Sequence, residues 1–186
     1  MNLIQANKHL TQKIFYLPNE IVGNIITLKI VSLYYLNQYY SAFSPKVQRM
    51  LNISHADATY ENTKKYLIKK NILQKNSEQL FYFIFDNFDK KLIGKIEIRN
   101  FNHKKGQLGV WINEKYWGNG RYQEALKLIS NLYFSYTNNY YYTAQIHEFN
   151  LRSLFASIKY GFKFSGKFIL RNNRRYYNMY MHKNFI

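Results

Sequence analysis

The segment Glu114-Lys115-Tyr116-Trp117-Gly118-Asn119-Gly120-Arg121-Tyr122-Gln123-Glu124-Ala125 gathers the residues of this sequence best suited to holding a ligand. Its glycines let the backbone approach a bound group closely. The first-turn N–H groups of a helix entered at this point would face an anion such as a pyrophosphate. The same pair of glycines also fits a tight strand-to-helix turn that binds nothing. A dinucleotide fingerprint is excluded, because Gln123 stands where its third glycine belongs, and there is no Gly-x-x-x-x-Gly-Lys-Ser/Thr run. Gly-x-Ser-x-Gly is absent too, and with no cysteine there is no thiolate nucleophile, disulfide or thiolate metal site. His9, His55, His103, His147 and His182 show no paired metal-ligand spacing, so no metal is expected.

The elements around this segment change period at it. Upstream, Ile26, Leu28 and Ile30 alternate with Thr27 and Lys29 as in a strand with one buried face, and a polar, Tyr-rich helical stretch follows. Ser54-His55-Ala56-Asp57 has capping-box spacing in its aspartate form and predicts a helix from there to about Leu73. Leu80–Phe85, Leu92–Arg99 and Gln107–Ile112 read as three strands joined by short turns, an antiparallel meander. After Ile112 the alternation gives way to a helical stripe of Ala125, Leu126, Ile129, Leu132 and Tyr133. Tyr140–Ile146 is a strand by composition. Asn150 is then an N-cap, Leu151, Leu154, Phe155 and Ile158 follow at helical spacing, and Gly161 is a natural stop. Phe162–Leu170 and Tyr176–Met181 finish the chain as two strands around a turn at Arg171–Arg174. The pattern is α+β, with a strand–helix–strand unit near its middle.

At 186 residues and 22.5 kDa the chain is expected to be one domain over 1–186, with residues 1–23 as an N-terminal extension. Lys and Arg number 27 against 10 acids, a formal net charge of +17. Such a field suits a ribosome or another polyanion, although AT-rich coding would enrich lysine equally well. The charge is concentrated in the C-terminal region: Phe149 to Ile186 contains no acid but holds Arg152, Lys159, Lys163, Lys167, Arg171, Arg174, Arg175 and Lys183. Met1 to Asn19 lacks an uninterrupted apolar run of signal-peptide type, which leads to an expectation of cytoplasmic location, and no membrane span is expected.

In this context the segment resembles the GNAT superfamily of acyl-CoA-dependent N-acetyltransferases. The resemblance is carried in order by Ile93-Gly94, Gly109-Val110-Trp111-Ile112, Tyr116-Trp117-Gly118-Asn119-Gly120 with Glu124-Ala125, Asn150-x-x-Ser153 and Tyr160-Gly161-Phe162. It covers roughly residues 26–182 and is nearest the branch of ribosomal-protein N-terminal acetyltransferases. It implies a mixed, mostly antiparallel twisted sheet of about seven strands flanked by helices, whose fourth and fifth strands splay to admit pantetheine. Acetyl-CoA would be the cosubstrate. Val110, Trp111 and Ile112 would offer backbone groups to the thioester and pantetheine arm. Gly118, Asn119, Gly120, Arg121, Tyr122 and Gln123 would hold the pyrophosphate, and Asn150 would meet the pantetheine. Tyr122 departs from the Gly or Ala usual at its position, so its ring must point away from the phosphates or crowd them.

The reaction implied is direct attack of a neutral amine on the thioester, which needs an unprotonated amine, a donor to the oxyanion and an acid near the departing sulfur. Ser157, seven residues after Asn150, falls where relatives carry that acid, with Tyr160 as a fallback. Where some relatives carry a Glu base this chain has Gln145, which leaves Glu97 and His147 as candidate bases. Glu97 equally fits an ion-pair partner of Lys95 or Arg99. The acceptor expected is a protein N-terminus or an anionic small molecule such as a nucleotide-linked amino sugar, since the basic terminal strands would repel a polyamine. The other class that the sequence admits is a catalytically degenerate acyl-CoA-binding or ribosome/RNA-binding module.

Overall fold

The computed structural model describes residues 16–101 and 105–185. The chain runs β1 (Glu20–Val22), β2 (Ile26–Ile30), α1 (Leu36–Ala42), α2 (Pro45–Leu51), α3 (Tyr60–Lys75), β3 (Gln79–Asp86), β4 (Leu92–Arg99) and β5 (Gly106–Ile112). It continues through α4 (Arg121–Tyr136), β6 (Tyr141–His147), α5 (Leu151–Lys159), β7 (Lys163–Arg171) and β8 (Arg174–His182). One sheet of eight strands results, in the order β1-β2-β3-β4-β5-β6-β8-β7, with β5 and β6 the parallel pair. β1 is the strand beyond the seven expected. It falls inside the anticipated N-terminal extension, whose residues 1–15 lie outside the described residues, as do His9 and His103.

β3 reads Leu80-Phe81-Tyr82-Phe83-Ile84-Phe85 with no polar break, the pattern of a strand covered on both faces, and every one of its residues is buried. One face packs Tyr82, Ile84, Ile96 and Ile98 against Ala125, Ile129 and Tyr133 of α4. The other packs Phe81, Phe83 and Trp111 against Leu36 and Tyr39 of α1, Val47 of α2 and Leu67 of α3. β4 is therefore buried on both sides as well, and the alternation of Lys95, Glu97 and Arg99 with Ile96 and Ile98 does not mark a solvent face.

Two local expectations change. Ser54 and Asp57 close a turn on each other, and the cap of α3 is Thr59, whose hydroxyl accepts the Asn62 N–H. On α5 only Leu154 of the apolar stripe is buried; Leu151, Phe155 and Ile158 are exposed. The β7–β8 hairpin turns at Asn172-Asn173, both at positive φ, as a two-residue loop between twisted strands requires. Among the described residues no helix is long and apolar enough to cross a membrane.

The site depends on where the parallel pairing ends. β5 and β6 are in register at Gly106↔Tyr142, Gln107↔Thr143 and Leu108↔Ala144, and no pair follows, although β5 runs on to Ile112 and β6 to His147. The two strands part there into an open fork. They are the fourth and fifth counted from Ile26.

Candidate active site

Gly118, Asn119 and Gly120 have φ of 95°, 49° and 80°, three left-handed residues in a row that turn the chain from β5 into α4. A Cβ built on Gly118 would meet nothing within 4 Å, so the loop faces open space. Gly120 caps α4 without a side chain, so the first-turn N–H groups carry no side-chain cap where the chain enters the helix. Two anchors fix the turn from behind. Glu124 accepts the N–H groups of Asn24, Ile25 and Ile26 at 2.6, 2.8 and 2.9 Å, tying α4 to the β1–β2 turn. Arg121 pairs with the buried Asp86 of β3 and lies over the Tyr116 ring at 5.5 Å. Its side chain is thus committed away from the loop's open side, and its N–H turns back to Gly118 O in a long contact of 3.4 Å.

Across the fork, Asn113 N–H bonds Ile93 O on β4 at 2.7 Å. By strand alternation the N–H and C=O of Val110 and Ile112 point the other way, into the gap, while those of Trp111 pair with β4. Ile112 O there accepts the Trp117 indole N–H at 2.6 Å. Trp111 contributes its ring instead, packed on Tyr39 and Phe43 at centroid distances of 5.2 and 5.0 Å. Of the three residues expected to present backbone, Val110 is the one with both groups facing the gap and no protein partner recorded.

Two clefts meet at this fork. The first, about 310 Å³, runs along Val110 and Ile112 to the glycine turn and is walled by Asn150, Arg152 and Tyr160. The second, about 500 Å³, lies on the other side and is lined by Lys70, Lys95, Glu97, Arg99, Gln145 and His147. Val110, Trp111, Tyr122, Asn150 and Ser153 belong to both. Asn150 caps α5 through Oδ1, which accepts the Ser153 N–H at 3.2 Å, so its capping and lining roles coexist.

Tyr122 settles its own orientation. Its ring turns inward, edge-on to Tyr160 at 5.5 Å, and its hydroxyl lies 3.1 Å from Ser157 Oγ. Burial pushes the phenol up to about 12, against the lowering effect of the Ser157 hydrogen bond. Ser157 is buried on α5 and lines the second cleft, where Tyr122 rather than a helical carbonyl is its recorded hydroxyl partner.

Glu97 is not placed as a base. Lys95 Nζ lies 2.6 Å from its Oε1 and Lys70 Nζ 2.7 Å from its Oε2. Burial alone would raise this carboxyl, but the charges of Lys95, Lys70 and Arg99 outweigh it and hold the group at about 2. A carboxylate so tied does not take a proton near neutrality. β6 extends to His147 and sets it on one face with Gln145. His147 Nδ1 faces the Phe149 N–H at 3.3 Å, and its ring stands edge-on to Tyr176 at 5.2 Å.

Several lining residues escaped the sequence reading. Trp117 carries the Arg152 guanidinium 4.3 Å above its ring at the first cleft, and Lys70 reaches the second from α3. Nothing local marks Lys70, whose partner lies on another element. For Lys95 and Glu97 a signal existed in the unbroken apolar run of β3, which announces a sheet covered on both sides.

Comparison with known proteins agrees with this arrangement. Residues 26–163 match the model of the acetyltransferase (GNAT) domain. No curated protein matches the chain in sequence. Among solved structures, the microcin C7 self-immunity acetyltransferase MccE, in complex with acetyl-CoA and AMP, is 20% identical, with 88% of this chain and 95% of that chain covered and a TM-score of 0.72. RimL, a ribosomal L7/L12 alpha-N-protein acetyltransferase, is 14% identical over 87% of this chain and 92% of that one, at 0.74. The ribosomal-protein-S5-alanine acetyltransferase from Vibrio fischeri is 19% identical over 89% and 97%, at 0.73. Such identities speak for the fold, and the matched domain model covers most of the chain. With its glycine turn, parted strands and paired clefts, the chain belongs to the GNAT acetyltransferase family, whose cosubstrate is acetyl-CoA.

Proposed function

We propose that this protein moves an acetyl group directly from acetyl-CoA to a primary amine, either a protein N-terminus or an amino group on an anionic small molecule. The observation that carries the reading is the fork itself: two clefts meet at Val110 and Tyr122, with Ser157 of the second cleft beside the Tyr122 hydroxyl. The 118–123 turn receives the pyrophosphate through backbone N–H groups, and the pantetheine arm follows the free edge of β5 past Asn150. The acceptor enters by the second cleft, whose wall includes Arg171 and Tyr176 of the terminal hairpin.

At the junction the amine nitrogen attacks the thioester carbon, with Val110 N–H as donor to the oxyanion. The C–S bond then breaks, and sulfur leaves with the electron pair. It takes a proton from the Ser157 hydroxyl, which draws on Tyr122 at 3.1 Å. With Glu97 held as a carboxylate, the proton lost by the amine goes to His147, with Gln145 on the same face orienting the intervening water. Calorimetric titration with acetyl-CoA and thiol release over a panel of amines test the proposal together. Saturable binding with amine-dependent thiol release supports transfer, whereas binding without release with any amine supports the degenerate acyl-CoA-binding module.

A further inference from the structure

We propose that Lys95 and Arg99, backed by Lys70 and gathered around Glu97 on the floor of the acceptor cleft, form a subsite for an anionic group, carboxylate or phosphate, carried by the amine acceptor. The inference rests on the acetyl-transfer reading and narrows it to one charge class of acceptor.

Three cations share one carboxylate here. β4 sets Lys95 and Glu97 on the same face, and α3 brings Lys70 from above, so both Glu97 oxygens are occupied and two positive charges are left over. Excess charge beside a low-dielectric wall is costly unless a counter-ion meets it. Acids do not supply one. Among the described residues lining this cleft the other carboxylate is Asp57, which is bonded to Ser54, while Arg171 adds a further cation at the rim.

The donors are also underused. The Lys70 ammonium gives one N–H to Gln79 Oε1 at 3.1 Å and lies 2.7 Å from Glu97 Oε2 as an ion pair without a hydrogen bond, and Lys95, with three N–H groups, has only Glu97 Oε1 as acceptor. Arg99 Nε is buried, 3.9 Å from Glu97 Oε1, and has no hydrogen-bond acceptor, while 41% of its side chain stays exposed toward the cleft. Space is kept open above the pair by Gly109, which faces Glu97 across the β4–β5 ladder. A Cβ there would come within 2.8 Å of Glu97 Oε1 and 3.3 Å of Lys95 Nζ. Gly109 directly precedes Val110, so the subsite adjoins the strand edge assigned to the thioester. An anion seated there belongs a few bonds from the reacting amine, and a diamine is repelled.

The test uses the full chain and two matched acceptor pairs, O-phosphoethanolamine against ethanolamine and a peptide beginning with Asp against the same peptide beginning with Asn. Thiol release from saturating acetyl-CoA is followed. A charged member should exceed its neutral partner by roughly tenfold or more in kcat/KM, mainly through KM, as one charge-assisted hydrogen bond allows. Arg99→Met should erase that advantage while acetyl-CoA affinity, read by calorimetry, stays within about twofold. The pair that responds separates phosphate from carboxylate. Equal use within both pairs overturns the subsite, as does a preference that survives both Arg99→Met and Lys95→Met. If acetyl-CoA binds but no amine releases thiol, the transfer reading fails instead. Inorganic phosphate and acetate are then each titrated into the acetyl-CoA complex: binding of either that Arg99→Met abolishes upholds the subsite, and absence of binding by both overturns it.

Discussion

The two clefts that meet between β5 and β6 are built from different materials. The first is made of backbone: left-handed glycines, uncapped N–H groups at the start of α4 and the unpaired edge of β5. The second is floored by charged side chains from α3 and β4, held by ion pairs at 2.6 and 2.7 Å inside the protein, with Gln145 and His147 of β6 beside them. A backbone site tolerates most side-chain changes and fails only where the chain's conformation fails. A side-chain site changes its chemistry with each substitution.

That contrast can be broken or sharpened by mutation. The largest effect is expected where the clefts meet. Ser157→Ala combined with Tyr122→Phe should lower kcat by about 10³, within the range of general acid catalysis, with acetyl-CoA affinity retained as the check on folding. Next, Glu97→Gln leaves Lys70 and Lys95 without their shared counter-charge and should cost about 3 kcal/mol in denaturant titration.

The same substitution carries a pH signature. Glu97 sits at about 2 in the folded protein, below its ordinary 4.5. Its contribution is therefore complete above pH 4.5 and is lost as pH falls toward 2. Glu97→Gln should remove that acid-limb loss. Lys95 has the opposite sign: burial first of all lowers it to about 8 from 10.5, so its charged form costs stability below pH 8 and the cost fades as pH rises toward 10.5.

On the backbone side, Gly120→Val forces a β-branched residue to a φ of 80° with its Cβ 3.2 Å from Ile25 Cδ1. About 2 kcal/mol of strain, relieved by a shift of the turn, should weaken acetyl-CoA binding roughly 30-fold by calorimetry. The smallest effect belongs to Arg152→Ala. It removes an exposed cation from the rim of the first cleft, and about a threefold loss of acetyl-CoA affinity is expected.

The same difference in material decides how much was legible in the sequence. The glycine turn, the strands around it and the Asn150 cap are local features, and the structure places them within a residue or two of their expected bounds. The Gly118 and Gly120 conformations follow from residue type. Tyr122 was visible as a departure, but its direction depended on a partner on α5 that no local rule supplies. The Lys70–Glu97–Lys95 cluster joins α3 to β4, and its burial depends on helices stacked on both faces of the sheet. Period-two alternation alone suggests a solvent face, so the sequence leaves Glu97 open between a base and an ion-pair partner until its neighbours are in place.

The most direct measurement is a crystal structure of the protein with acetyl-CoA. The account predicts the diphosphate on the N–H groups of residues 118–123, the thioester oxygen at about 2.9 Å from Val110 N–H, and the sulfur beside Ser157. A complex with β5 and β6 paired beyond Leu108 and Ala144, or with the diphosphate bound away from that turn, would contradict it.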